Sequence, residues 1–171
     1  MEKQEKLTDR IITYFIVLLI SITLSPTFLN SGVAWAQSTS QTIKVGESPQ
    51  VIKYNPSNGD IYVANSESGD ISVIDSDTNK VISTVETGDN LQNLVYNPSN
   101  GDIYVTSISN SDGSGKVVVI NGDTNKVIST IDVGDDPQDI KYNPSNGDIY
   151  VANENSNNVS LIITTETNST S

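Results

Sequence analysis

A chain of 171 residues is long enough for one ordinary domain, and its 21 Asp+Glu against 9 Lys+Arg give a net charge of −12. That balance argues against nucleic acid as a partner, because binding a phosphate backbone depends on Lys and Arg neutralising it. The chain has no His and no Cys, which removes disulfides, thiolate nucleophiles, the commonest metal ligand and the usual general base near neutral pH.

The chain starts with a polar segment, residues 1–10, holding Lys3, Lys6 and Arg10. An almost unbroken apolar run follows over 11–24 and reaches Leu29 if Ser25 and Pro26 are tolerated. Val33-Ala34-Trp35-Ala36-Gln37 then supplies an Ala-x-Ala pattern. A charged start, an apolar middle and a small-residue exit describe a secretory signal peptide, residues 1–36, cleaved after Ala36. The alternative is an uncleaved membrane anchor through residues 11–29, although spanning a bilayer takes roughly 20 apolar residues and the run stops a little short. Either way the remainder is expected outside the cytoplasm, secreted or at the cell surface, after a linker at 37–41. The first 36 residues hold three bases and three acids, so the whole of the −12 falls on residues 37–171.

One sentence of sequence then returns three times. Residues 54–65 read Tyr-Asn-Pro-Ser-Asn-Gly-Asp-Ile-Tyr-Val-Ala-Asn, and the first ten positions are identical at 96–107 and 142–153. The offsets, 42 and 46 residues, match the period of stacked structural repeats. Within the first repeat, residues 50–54 form a strand that stops at Asn55-Pro56-Ser57-Asn58-Gly59. Pro sets φ for the second position of a tight turn, Asn suits the first, and Gly59 takes the left-handed conformation that returns the chain as a hairpin. Further strands are predicted at 60–65, 70–75 and 81–87, with turns at Ser66-Glu67-Ser68-Gly69 and Asp77-Thr78-Asn79-Lys80. Their Val, Ile and Thr content suits a pleated surface, and no window keeps a helical period.

The second repeat repeats the plan at 92–96, 102–107, 116–121 and 126–133. Its four extra residues fall within 109–115, which implies a surface loop, where added length costs little. The third supplies 138–142, 148–153 and 158–164 before a polar tail at 165–171. Residues 42–45 with Gly46 match Thr84-Val85-Glu86-Thr87-Gly88 and Thr130-Ile131-Asp132-Val133-Gly134 in pattern. They are therefore predicted to be the missing fourth strand, giving twelve strands in three four-stranded sheets. An N-terminal strand completing the last blade is how circular propellers latch shut.

Repeats of about 40 residues with Asn-Pro, a Gly turn and then Tyr-Val-Ala-Asn resemble the YVTN-type β-propeller repeats of archaeal surface-layer and secreted proteins. The resemblance covers residues 42–164, with Tyr-Val-Ala-Asn at 62–65 and 150–153 and Tyr-Val-Thr-Ser at 104–107 as departures from the nominal motif. It implies the fold, all-β with three antiparallel propeller blades, and an extracytoplasmic location far better than any activity. Propellers close with four to eight blades, and this sequence carries three. Each blade is apolar on both faces, so two faces would stay wet. One remedy is a homodimer completing a six-bladed ring. The other is that the sequence is a short paralogue or a fragment of a longer propeller.

Acidic clusters invite a chemical reading. Asp75, Asp77, Asn79 and Glu86 imitate the spacing of a Ca²⁺ loop. Lys80 stands where that loop needs Gly, so a turn rich in Asp and Asn bonding their own backbone explains the segment better. Asp135-Asp136 with Asp139 could serve paired-carboxylate chemistry, but Glu47-Ser48 and Asp89-Asn90 occupy the equivalent places, which favours a solvated loop. Asp60, Asp102 and Asp148 follow Gly in the turn and are read as structural. Tyr54, Tyr96 and Tyr142, with Tyr62, Tyr104 and Tyr150, either form a carbohydrate-binding rim or fill the spaces between blades with their hydroxyls bonded, and packing is favoured. Asn158-Val159-Ser160 and Asn168-Ser169-Thr170 are glycan acceptor sequences. No residue is therefore assigned to catalysis, metal or cofactor binding, and no cofactor is expected. The expectation is an exported, non-catalytic scaffold binding protein or glycan, with a lactonase-like or redox-accessory propeller enzyme, or a carboxylate-based metal-dependent hydrolase, as the alternative.

Overall fold

The computed structural model describes residues 41–88 and 90–164, and the predicted signal or anchor segment and the polar tail lie outside them. Eleven strands occur among the described residues: β1 Pro49–Tyr54, β2 Asp60–Asn65, β3 Asp70–Asp75, β4 Lys80–Glu86, β5 Asn90–Tyr96, β6 Ile103–Ile108, β7 Gly115–Asn121, β8 Lys126–Val133, β9 Pro137–Tyr142, β10 Ile149–Asn153 and β11 Asn158–Ile162. They form three antiparallel meanders in simple order, β1-β2-β3-β4, β5-β6-β7-β8 and β9-β10-β11. Eleven of the twelve predicted strands agree with these to within two residues at each end.

The repeated turn is closed the same way three times. Gly59 N–H donates to the Asn55 carbonyl at 2.9 Å, Gly101 to Asn97 at 2.9 Å and Gly147 to Asn143 at 2.8 Å. The Asn side chain adds a second bond, its Oδ1 accepting from the N–H of Ser57, Ser99 or Ser145 at 2.9 Å in each case. The three glycines sit at φ of 80°, 78° and 81°, a conformation that costs a side chain dearly. Local chemistry alone thus fixes each hairpin. The four-residue insertion is a surface loop between β6 and β7, closed by Gly113 N–H on the Ser109 carbonyl, with Asn110, Ser111 and Asp112 exposed.

Side chains alternate across each sheet, and both faces are apolar. In the first sheet Tyr62, Ala64, Ile71, Val73 and Val85 turn toward the second, meeting Leu94, Ile103, Val105 and Ile120 in one core cluster. The opposite face of the second sheet, with Tyr104, Val117 and Val119, meets Ile140, Ile149 and Val151 of the third. The same repeat positions therefore make both junctions, as in adjacent blades of a propeller.

One expectation fails. Residues 42–45 adopt no strand, and among the described residues the third sheet has three strands, not four. The reason is geometric. Residues 42–45 run into the inner strand of the first blade, whereas the free edge they would complete, β11, belongs to the third blade. A latch strand reaches its sheet only where first and last blades meet, and in an open arc of three they do not.

Candidate interaction surfaces

The acids singled out from the sequence are held inside turns. Asp75 Oδ1 accepts from the Thr78 N–H at 2.7 Å and the Thr78 hydroxyl at 2.6 Å. These bonds, the side-chain one first, hold the Asp75 carboxyl below the ordinary carboxylate value. Asn121 repeats the arrangement on Thr124 at 3.0 and 2.8 Å, and Asn79 and Asn125 close the two turns at φ of 55° and 53°. The Ca²⁺-like segment is a β-turn.

Asp135, Asp136 and Asp139 diverge. Asp136 lies at φ 56° in the crossover into β9 and accepts from Gln138 at 2.7 Å. Asp139 binds Lys141 Nζ at 2.7 Å and accepts from Asn93 Nδ2, on the second blade, at 2.7 Å. Asp60 and Asp102 are nearly buried, and desolvation pushes both carboxyls up, with Asn121 pulling Asp102 partly back. Asp148 accepts from Asn146 at 2.7 Å. No group of three such side chains among the described residues is placed to hold a metal ion.

The tyrosines staple blades together. The Tyr62 hydroxyl lies 2.7 Å from Asn125 Oδ1 and 3.1 Å from the Gly122 carbonyl oxygen, both on the next blade. Burial raises its hydroxyl above the ordinary tyrosine value, and Asn58 opposes that shift. Tyr96 bonds to Ser57 of the preceding blade, and Tyr142 to Ser99 at 2.9 Å. Tyr62, Tyr96 and Tyr142 pack with a hydroxyl bonded across a junction, whereas Tyr54 is 58% exposed and Tyr150 reaches Asn146 of its own turn. Tyr104 has only Asn100 Nδ2, at 3.0 Å, among the described residues. Where the turn holding Gly122 and Asn125 fills the first junction, the second carries an open cleft of about 560 Å³, bordered by Tyr104, Val119, Ile131, Ile162 and Ile163.

Among the described residues, apolar side chains stand exposed on both end faces, although Val63, paired opposite Ile52, is buried. Ile52 is 63% exposed, whereas its repeat equivalents Leu94 and Ile140 are 0% and 1% exposed. Val159 and Leu161 are 62% and 50% exposed, whereas Val117 and Val119, their equivalents, are 0% and 4%. Tyr54 stands open beside Ile52. Grouping of exposed apolar side chains on one face differs from the single scattered apolar residues of an ordinary surface. The residue pattern alone contains this signal, since all three repeats are apolar on both faces. Asn158, the first of the glycan acceptor positions, is exposed at the start of β11, and Asn168 lies outside the described residues.

No family model matches the chain, and no curated protein matches it. Solved structures do. Hydrazine synthase from Kuenenia stuttgartiensis aligns at a TM-score of 0.63 and 23% identity over 74% of this chain and 42% of that one. A putative 6-phosphogluconolactonase from Bacteroides uniformis aligns at 0.61 and 16% over 75% and 39%. The β-propeller domain of Cps50 (Swd1) from Myceliophteria thermophila aligns at 0.59 and 16% over 74% and 38%. At these identities the likeness is one of fold, β-propeller, and this chain spans about two fifths of each of those chains.

Proposed function

We propose that this chain is an exported, non-catalytic β-propeller segment of the YVTN type, acting at the cell surface as a scaffold for a protein or glycan partner. The observation that carries the reading is the exposure of Ile52, Val159 and Leu161 at positions that are buried wherever a neighbouring blade is present. Apolar area on a pleated face gains about 25 cal/mol per Å² when covered, so such faces favour contact with protein. Asp75 and Asp139 and the hydroxyls of Tyr62, Tyr96 and Tyr142 are engaged in turns and staples. Export rests on the Ala-x-Ala exit after the apolar run. Protease treatment of intact cells expressing the full chain tests it. Loss of the chain from undamaged cells supports surface display, and protection until lysis overturns it.

A lactonase-like enzyme is the second reading, favoured by two similar structures described as putative 6-phosphogluconolactonases. A body carrying −12 repels a phosphorylated substrate. Hydrolysis of 6-phosphogluconolactone above the spontaneous rate by the purified chain would favour the enzyme over the scaffold.

A further inference from the structure

We infer that the partner of the two end faces is a second copy of this chain, joined head to tail into a six-bladed ring in which residues 42–45 of each copy complete the third blade of the other. The inference rests on the scaffold reading above and gives it a partner.

The repeats are equivalent at both ends. The open face of the first blade carries Ile52 and Tyr54 where the second and third blades carry Leu94 with Tyr96 and Ile140 with Tyr142. The open face of the third blade carries Val159 and Leu161 where the first and second carry Ile71 with Val73 and Val117 with Val119. Each end thus presents one half of a junction that the chain already makes twice. The polar staples extend with it. Ser57 meets Tyr96 and Ser99 meets Tyr142 within the chain, which leaves Ser145 of one copy for Tyr54 of the other. Tyr62 meets Asn125, which leaves Tyr150 for Asn79, an exposed residue.

The crossover before β1 points the same way. Gly46–Ser48 is built as Gly134–Asp136, the passage from β8 into β9. Glu47 N–H donates to Ser68 Oγ at 3.0 Å and Asp135 N–H to Ser156 Oγ at 2.7 Å. Gly46 N–H donates to Ser72 Oγ at 3.4 Å and Gly134 N–H to Ser160 Oγ at 3.3 Å. Ser48 and Asp136 both sit at φ 56°. Residues 42–45 therefore leave the first blade as an outer strand of a preceding blade would. The free edge of β11 is the place such a strand is wanted. By the register of β7 with β8, where Val117 faces Ile131 and Lys116 faces Asp132, Ile43 of one copy falls opposite Val159 of the other and Lys44 opposite Asn158. Head-to-tail contacts close into a ring when the rotation permits, and six blades lie within the range that propellers use.

The test exploits a chain without cysteine. Directly opposed strand residues lie within disulfide reach. Full-length Ile43→Cys and Val159→Cys chains are prepared separately, mixed, oxidised and run on a non-reducing gel. Both substitutions are tolerable, since Val159 is 62% exposed and Ile43 half-buried. The expected result is a covalent species of two-chain mass in the mixture and little in either variant alone. No cross-link, or equal cross-linking in each single variant, overturns the ring. As a second measurement, Leu161→Asp is expected to convert a two-chain sedimenting species into a single chain. A wild-type chain that sediments as a monomer at every concentration overturns the inference, while the export test above stands or falls on its own result.

Discussion

The Tyr142 hydroxyl lies 2.9 Å from the Ser99 hydroxyl, and this bond ties the inner strand of the third blade to the turn of the second, 43 residues earlier. Tyr96 and Ser57 make the same tie one blade back. A half-exposed neutral hydrogen bond contributes about 0.5–1.5 kcal/mol net. Tyr142→Phe is expected to cost about that in chemical denaturation with an unchanged m-value, because the ring still packs. A loss above about 3 kcal/mol would show that the ring, not the hydroxyl, had been displaced.

Leu94 and Ile52 hold equivalent repeat positions in opposite environments, 0% and 63% exposed. Leu94→Ala removes a buried side chain and is expected to cost about 2–5 kcal/mol. Ile52→Ala is expected to change the stability of a single chain by less than about 0.5 kcal/mol. Equal losses, measured under conditions where the chain is monomeric, would mean that Ile52 is covered within its own chain.

Gly115 opens β7 directly against the crossover out of β8. A Cβ there would stand 1.9 Å from the Gly134 carbonyl oxygen and 2.8 Å from Pro137 Cδ. Gly115→Ala is expected to cost at least about 1–3 kcal/mol, since the obstacle is backbone and overpacking forces it to move. A thermal midpoint matching wild type would show that the crossover yields freely.

Stability should respond to pH in two opposing ways. Burial raises the Asp102 carboxyl, so its contribution is present below 3.8 and is lost as pH rises through the raised folded value. Bonds from Ser109 and Ser114 lower the exposed Asp112 carboxyl to about 2, so its contribution is present above 3.8 and is lost as pH falls toward about 2. Wild type is therefore expected to lose ground to Asp102→Asn as pH rises above the ordinary carboxylate value. The gap between wild type and Asp112→Ala should close as pH falls from about 4 to about 2. Calorimetric midpoints of the three proteins from about pH 2 to about pH 7 check both signs, and a pH-independent difference in either pair would contradict the assignment.

Net charge also bears on the ring. Two copies of −12 repel, while the faces that meet are apolar. Association is expected to strengthen between about 10 mM and 300 mM salt as the repulsion is screened. Sedimentation across that series measures it, and weakening with salt would point to a junction held by charge.

The sequence by itself determined what a few neighbouring residues can settle. Asn55-Pro56-Ser57-Asn58-Gly59 and its two copies close their hairpins with their own atoms, and period-two apolar alternation sets each strand and makes both blade faces apolar. Asp75 and Asn121 cap their turns with Thr three residues on, so the bland reading of those acids was also legible. Only the tertiary structure decided what depends on a neighbour far along the chain. Residues 42–45 have the pattern of an outer strand, yet form none, because strand pairing needs an edge within reach and β11 lies on a different blade. Ile52 and Leu94 are equivalent in pattern and opposite in burial, because burial belongs to the pair of surfaces that meet and not to the residue.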